Sequence, residues 1–488
     1  MSAYFDINHF ATDVLCIAAL ATAWAAQCRG AGSAATWLGI LLFFFTVSEA
    51  APPTSRLPEG QYVTAVAQIR EISSVRGRWQ HTIADVGYYK PQGAEAAWQK
   101  ADESIQLSVD TSYAVAPGMQ MAFHGWLNPI DTTGSSYGDL MRRRGLHARL
   151  YLTPGNMLKE AGYTSATPAY YAYKLHEKAV RRLDRLDLGD DSRAVVAAMV
   201  TGDRGTIGRN LRQEYNRSGG AHLLAVSGLH VGIAFILINI VLYLLPAFPR
   251  GHIVKNAAAI ACIWLYAVTA GLAPSAMRAA LMFSFAQLAL ASSSRRNALN
   301  IILGSAIIML AVNPNYIADP GFLLSYAAVL SIFVFYRPIF DLVRTGHKLP
   351  DAVIGVIVVG FVATVGTAPI SSHLFGNFSL IGILINPIVI LTAHIIVLLG
   401  VVWIIAPAGL LQPLFSAALD TVAGIQNSVI EWSAAQTWAI FEGHLPAAGV
   451  FLCYTLIATS AIIVHTTNKY STHGSGLRGH RGRRRAII

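Results

Sequence analysis

The chain is 488 residues long, 54% hydrophobic and only 13% charged, with a net charge of +10. Soluble domains carry roughly 25% charged residues, so this balance excludes an ordinary soluble enzyme and points to a polytopic α-helical membrane protein. Several apolar runs approach or exceed the roughly 20 residues that cross a bilayer.

Two spans come first, at about 11–27 and 34–51, an N-terminal transmembrane pair within residues 1–52. The first run has no basic flank before it, so it reads as a retained span and not a cleaved signal. Cys16, Cys28, Cys262 and Cys453 all lie in or beside apolar runs with no CxxC spacing. They read as small buried side chains, not as a disulfide framework or zinc site.

Residues 57–157 differ in composition. Alternating apolar and polar residues predict strands over 60–72, 79–89, 104–113, 119–127 and 147–152, with Gly, Pro and Asn between them. Five short strands in such a length suggest an OB-like β-barrel domain. Residues 51–160 hold 11 Lys/Arg and 10 Asp/Glu, which gives little general electrostatic grip on nucleic acid. The one basic cluster is Arg142, Arg143 and Arg144. Tyr62, Trp79, Tyr88, Tyr89, Trp98, Tyr113 and Trp126 offer either core packing or base-stacking surface.

From 165 to 219 the pattern turns helical. Leu175, Ala179, Leu183 and Leu186 recur at spacings of four and three between charged residues. Two more helices are predicted, one starting at Asp190-Asp191-Ser192 and stopping near Gly202, the other carrying Ile207, Leu211 and Tyr215. All three are too polar to span. They are expected to be amphipathic surface helices or to pack under the barrel.

The main membrane unit covers 220–466. Spans are predicted at about 221–247, 254–271, 274–292, 298–313, 320–336, 351–369 and 446–465. A long run at 378–405 is interrupted at Asn386-Pro387, and 409–440 is only moderately apolar. That stretch is either two full spans or a re-entrant pair with surface helices, so the total is about nine or ten. Residues 467–488 form a basic tail with six Lys/Arg and no acid. Alternating spans put this tail on one side with Arg29, Arg250, Arg295 and Arg337. By the positive-inside rule that side is the cytoplasm, which leaves the β domain outside.

The stretch 217–232, RSGGAHLLAVSGLHVG, stands out because polar and flexible residues open a membrane span. Buried hydroxyl and imidazole groups in lipid need partners or a water-filled cavity. His222, Ser227 and His230 are such groups, preceded by Arg217. Gly228 and Gly232 form a GxxxG spacing, which also suits close helix packing. Arg278 follows a Pro-bearing span start and either snorkels outward or meets an anion at a helix N-terminus. Asn386 sits at the proline interruption, where freed carbonyls imply a packed kink or a cavity. Two histidines with no nearby carboxylate are too few for a zinc site. No Walker A motif and no G-x-S-x-G elbow occurs.

Several blocks together resemble the ComEC competence family, the inner-membrane DNA channel of natural transformation. They are 202–207 with 217–232, then 271–282, 313–330 and 368–390, with 128–152 resembling the end of the family's outer OB-like domain. The resemblance implies a channel that conducts single-stranded DNA into the cytoplasm. It implies Arg217, His222, Ser227, His230, Arg278 and Asn386 along its path, and a weaker outer contact at Arg142, Arg143 and Arg144. It also implies a cytoplasmic helicase-like ATPase, an outer DNA-receptor protein and no cofactor. The HxHxDH motif of the metallo-β-lactamase-like domain that ends many members is absent from this sequence, so the expectation is a non-enzyme served by a separate nuclease. The rival readings are a transporter of another anion, such as a lipid or nucleotide, and a membrane enzyme using His222 or His230.

Overall fold

The computed structural model describes residues 57–460 except 93–96, 114, 131–137, 139–140, 143–144, 164–166, 225, 244–250, 292–297, 313, 315, 317–318, 406–408, 437, 439, 447, 451 and 458. The expected N-terminal transmembrane pair, the basic tail, Arg143 and Arg144 lie outside the described residues.

The N-terminal part is a seven-stranded sheet: β1 Tyr62–Arg76, β2 Trp79–Pro91, β3 Gln99–Asp110, β4 Met119–Trp126, β5 Asn128–Pro129, β6 Leu146–Leu152 and β7 Met157–Tyr163. Period-two alternation sends Val63, Ala65, Ala67 and Ile69 of β1 to one face, where they meet Val86, Ile105, Leu107, Phe123 and Leu150. β1 pairs antiparallel with β2 and β4, while β3 and β6 run parallel, so the order is β5-β6-β3-β2-β1-β4-β7. The β1–β2 turn is two residues long, with Gly77 at φ +57°, the left-handed conformation such hairpins require.

All five expected strands are present, and β5 and β7 are additional. β7, MLKEAGY, shows no alternation, and β5 has only two residues, so neither carries a strand pattern. The ladder does not close: β5 and β7 are its edges. The sheet still curls, because a Cβ at Gly125 of β4 would lie 3.0 Å from Leu150 of β6.

Among the described residues the helices up to Ala434 are α1 Pro168–Leu183, α2 Asp190–Val200, α3 Arg209–Arg217, α4 Gly228–Val241, α5 Gly251–Thr269, α6 Pro274–Ala291, α7 Ala298–Val312, α8 Pro320–Val343, α9 Lys348–Phe375, α10 Ile381–Ile405 and α11 Gln412–Ala434. A two-stranded sheet, β8 Asn377–Ser379 and β9 Ile440–Glu442, ties the start of α10 to the chain after α11. Among the described residues, α8, α9 and α10 are long and apolar enough to cross a membrane. Shorter apolar helices lie at Gly228–Val241, Ile253–Thr269, Ala298–Val312 and Ala448–Ile457.

Two expectations need correction. The run at 378–405 is not interrupted: α10 passes unbroken through Pro387. That proline lies near the helix start and forfeits one backbone bond, to Ile383, which the rest of the helix tolerates. Within 409–440, Gln412–Ala434 forms one long helix, α11, antiparallel to α10. Thr392 Oγ1 donates to Gln426 Oε1 at 2.9 Å, and the Trp403 and Phe415 rings lie 5.5 Å apart. Finally, α2 is not a surface helix. Every residue from Ala194 to Val200 is buried. AVVAAMV is apolar all round, and such a helix belongs in a core. It packs against α10 and α11, with Val200 filling the space beside Gly400.

Candidate functional site

The stretch 217–232 runs alongside α10. Arg217 ends α3 and is exposed. After it the backbone turns through Ser218-Gly219-Gly220, with Gly219 at φ +82°. A Cβ at Gly219 would lie 3.3 Å from Ser379, and one at Gly220 would lie 2.9 Å from Ile430 of α11. Only glycine fits both constraints, so the paired glycines let the turn press between the first turn of α10 and α11. Ser218 Oγ donates to Tyr215 O at 3.0 Å and accepts from Gly220 N at 3.2 Å. His222 is exposed, its Nδ1 3.1 Å from Gly219 O.

The segment then reaches α4. Ser275 Oγ, at the start of α6, donates to Val226 O at 2.5 Å. Gly202, at φ +82°, leaves room for Ala270 O, 3.1 Å from where its Cβ would sit. The blocks at 202–207, 217–232 and 271–282, far apart in sequence, therefore meet around the starts of α4 and α6. The sheet domain reaches the same place: Val75 O at the tip of the β1–β2 hairpin lies 3.2 Å from where a Cβ at Gly205 would sit. Gly228 faces Ala279 and Gly232 faces Phe283, so the GxxxG pair packs α4 on α6.

Ser227 is the N-cap of α4 and His230 its third residue. Ser227 N donates to His230 Nδ1 at 3.2 Å, so histidine takes the role that Glu or Gln fills in a capping box. With Nδ1 accepting, the neutral ring carries its hydrogen on Nε2. That Nε2–H is buried and has no partner, and the Ser227 hydroxyl is buried without one as well.

Arg278 lies one turn into α6 and is only 3% exposed, so it does not snorkel outward. Its Nε and Nη1 have no hydrogen-bond partner. The guanidinium sits over the first turn of α8: a Cβ at Gly321 would be 3.5 Å from Nη2 and 3.9 Å from Nη1. Asp319 caps that helix, its Oδ1 accepting from Phe322 N at 3.1 Å. A helix N-terminus carries positive partial charge and favours anions. A buried cation beside it is held at a cost that Asp319 offsets in part. Tyr326, nearby, is satisfied, its hydroxyl 3.0 Å from Ser305 Oγ.

The remaining sequence candidates lie elsewhere. Asn386 is half-buried and faces Gly360 of α9, its Nδ2 2.7 Å from where a Cβ would be, so it packs two helices together. Arg142 is spent inside the sheet domain, donating through Nε to Ile130 O at 3.1 Å and pairing with Glu59 at 3.5 Å.

Several polar groups in the helices gave no signal beyond being single polar residues in apolar runs. Gln287 bridges to Asn256 at 2.7 Å and Asn239 at 3.4 Å. Gln426 joins Thr392 and Tyr215 at 2.9 Å each. The His394 ring bonds the carbonyl of Ile390 one turn back in its own helix, and the Tyr266 hydroxyl is buried without a partner. Among the described residues no three metal-ligating side chains cluster.

On the outward face of the sheet, Tyr62 stands opposite Trp126, Thr64 opposite both His124 and Lys90, and Val66 opposite Tyr88. Tyr62 and His124 rings lie 5.8 Å apart, and Tyr88 and Trp126 are about half exposed, whereas Tyr89 belongs to the core.

These features define a membrane-type helical protein preceded by a β-sheet domain. The family model described as Competence protein matches residues 199–467, more than half of the chain, and the protein belongs to that family. It is 29% identical over 301 residues to ComE operon protein 3 of Bacillus subtilis (strain 168), covering 60% of this chain and 36% of that protein. The chain thus matches about a third of the length of that relative. No solved structure matches.

Proposed function

We propose that the protein conducts single-stranded DNA across the cytoplasmic membrane during natural transformation. Family membership supports a role in DNA uptake. The observation that carries the finer reading is Arg278, a buried cation over the start of α8 whose Nε and Nη1 have no hydrogen-bond partner, where a passing phosphate would find both a guanidinium and a helix N-terminus. Ser227 and His230 supply further unpaired donors beside the point where the sheet domain meets the helices. The strand would arrive on the OB-like outward face of the sheet by stacking on Tyr62, Tyr88, His124 and Trp126. In this reading residues 57–157 form the outer domain, 220–466 the channel domain and 467–488 a cytoplasmic tail. An ATPase, an outer DNA receptor and a separate nuclease are its partners. An enzymatic role for His230 is disfavoured because its Nδ1 is already engaged by Ser227 N.

The test is uptake of labelled transforming DNA into the cytoplasm of a competent host with and without the gene. The expected result is loss of cytoplasmic label with surface binding of DNA retained. Unchanged uptake in the deletion strain would sink the reading.

A further inference from the structure

α1 carries a basic face that the contacts described above leave unused. Lys174, Lys178 and Arg181 recur at spacings of four and three on one side of the helix, over roughly 10 Å. Arg185 follows on the next turn, and all four are exposed. With Glu177 and Arg182 they line a cleft of about 310 Å³. Glu177 is the one acid there, 3.0 Å from Lys174 and 2.6 Å from Arg181.

The opposite side of α1 is fully committed to protein. Ala179 and Leu183 are buried, and the helix packs on α5 and α10. His176 Nδ1 lies 2.8 Å from Thr269 O, Trp403 Nε1 donates to Arg182 O at 2.8 Å, and the Arg182 guanidinium donates to Ile404 O. A helix that binds a lipid surface needs a free apolar face to sink into it, and α1 has none left. At the head of the basic face stands a tyrosine cluster instead. Tyr170 and Tyr171 meet edge-on at 5.8 Å, and Lys174 Nζ lies 5.9 Å from the Tyr170 ring and 5.8 Å from the Tyr173 ring. Cations in line with aromatic rings are the chemistry of a single-strand groove, phosphates on one and bases on the other. The chain order adds to this, because α1 begins five residues after β7 of the sheet domain ends.

We propose that this face of α1 binds the phosphodiester backbone of single-stranded nucleic acid and carries it from the sheet domain towards the starts of α4 and α6. The inference rests on the strand-conduction reading and adds a binding surface to it.

The experiment uses the full chain in nanodiscs of zwitterionic lipid and a fluorescent single-stranded oligothymidine, with affinity read by anisotropy across a salt series. In the K174Q/K178Q/R181Q/R185Q variant the log–log salt slope is expected to become shallower by roughly 2–3, since each lost phosphate contact removes about 0.7. Affinity at low salt should fall at least tenfold. E177Q, which removes the one acid, should tighten binding. These side chains are exposed, so matched melting curves verify that the variants fold. Wild-type binding with an unchanged slope in the quadruple variant overturns this inference and leaves the channel reading standing. No wild-type binding overturns both. If the variant instead loses only its attachment to anionic liposomes, with the oligonucleotide slope unchanged, the face is a lipid-headgroup surface and the proposal fails.

Discussion

The sheet domain and the helical region treat buried polar groups in opposite ways. In the sheet, Thr82 is fully buried and its Oγ1 donates to Leu107 O at 3.0 Å; buried Ser108 meets His81 at 2.8 Å; Asp110 accepts from Ser112 N and Arg78. Among the described residues, every buried side-chain atom without a partner lies between Arg193 and Ser379, in the helical region. Leaving a donor or acceptor unmet in the interior costs about 1–3 kcal/mol, more for a charge. The sheet thus meets the hydrogen-bonding needs of its interior, whereas the helical region carries buried polar groups whose partners lie outside the described residues or are missing.

The comparison breaks most readily at the contact between α2 and α10. Gly400→Leu would drive a side chain into Val200, and overpacking of this kind costs about 1–3 kcal/mol or more. A large drop in melting temperature, followed by size-exclusion of heated samples, is expected. A melting curve like that of wild type would refute the burial of α2 between α10 and α11.

Arg278→Met separates stability from function. Arg278 is a buried charge that Asp319 offsets only in part, and an apolar side chain in its place spares a desolvation penalty of several kcal/mol. Melting temperature should rise while DNA uptake falls at least tenfold. A variant that is less stable and still takes up DNA would mean that Arg278 is a structural group.

A matched pair tests the contrast itself. Thr82→Val removes a satisfied hydroxyl and should cost about 1 kcal/mol. Tyr266→Phe removes an unsatisfied one and should be neutral or slightly stabilising, on the same melting assay. Equal losses would erase the distinction between the two regions.

The smallest effect concerns acid. The Asp110 carboxyl is held below its ordinary value by the Ser112 N–H, with the Arg78 guanidinium helping. A carboxyl lowered in the folded state contributes stability that is present above its unfolded value, near 3.8, and is lost as pH falls through the folded value. Asp110→Asn should lower stability slightly at neutral pH, where the carboxylate's contribution is present, and flatten the acid limb, so that its melting curve converges with that of wild type as pH falls.

The sequence carried the sheet's strands because half-buried strands alternate, and β7 escaped because MLKEAGY does not. Helix existence was legible in the apolar runs, whereas placement was not. Pro387 reads as a break until its position near a helix start is known, and α2 reads as a surface helix from its charged neighbours, although its own seven-residue apolar run marks it as core. The meeting of 202–207, 217–232 and 271–282 was legible only as a set of unusual blocks, since nothing local fixes contacts across so many residues. Arg217 and Asn386 drew attention in the sequence as polar residues at the edge of or within apolar spans. Which way each one faces is set by its packing partners, which lie elsewhere in the chain.

The position of α2 has a consequence in time. About 180 residues separate Val200 from the start of α10 at Ile381. At 5–20 residues per second, synthesis of that interval takes roughly 10–40 s. Throughout it, seven consecutive apolar residues wait for the two helices that will enclose them. Until then only the neighbours of α2 in sequence, Leu183, Leu186, Leu211 and Tyr215, are at hand to cover it, and a pause in translation before α10 lengthens that partly covered interval.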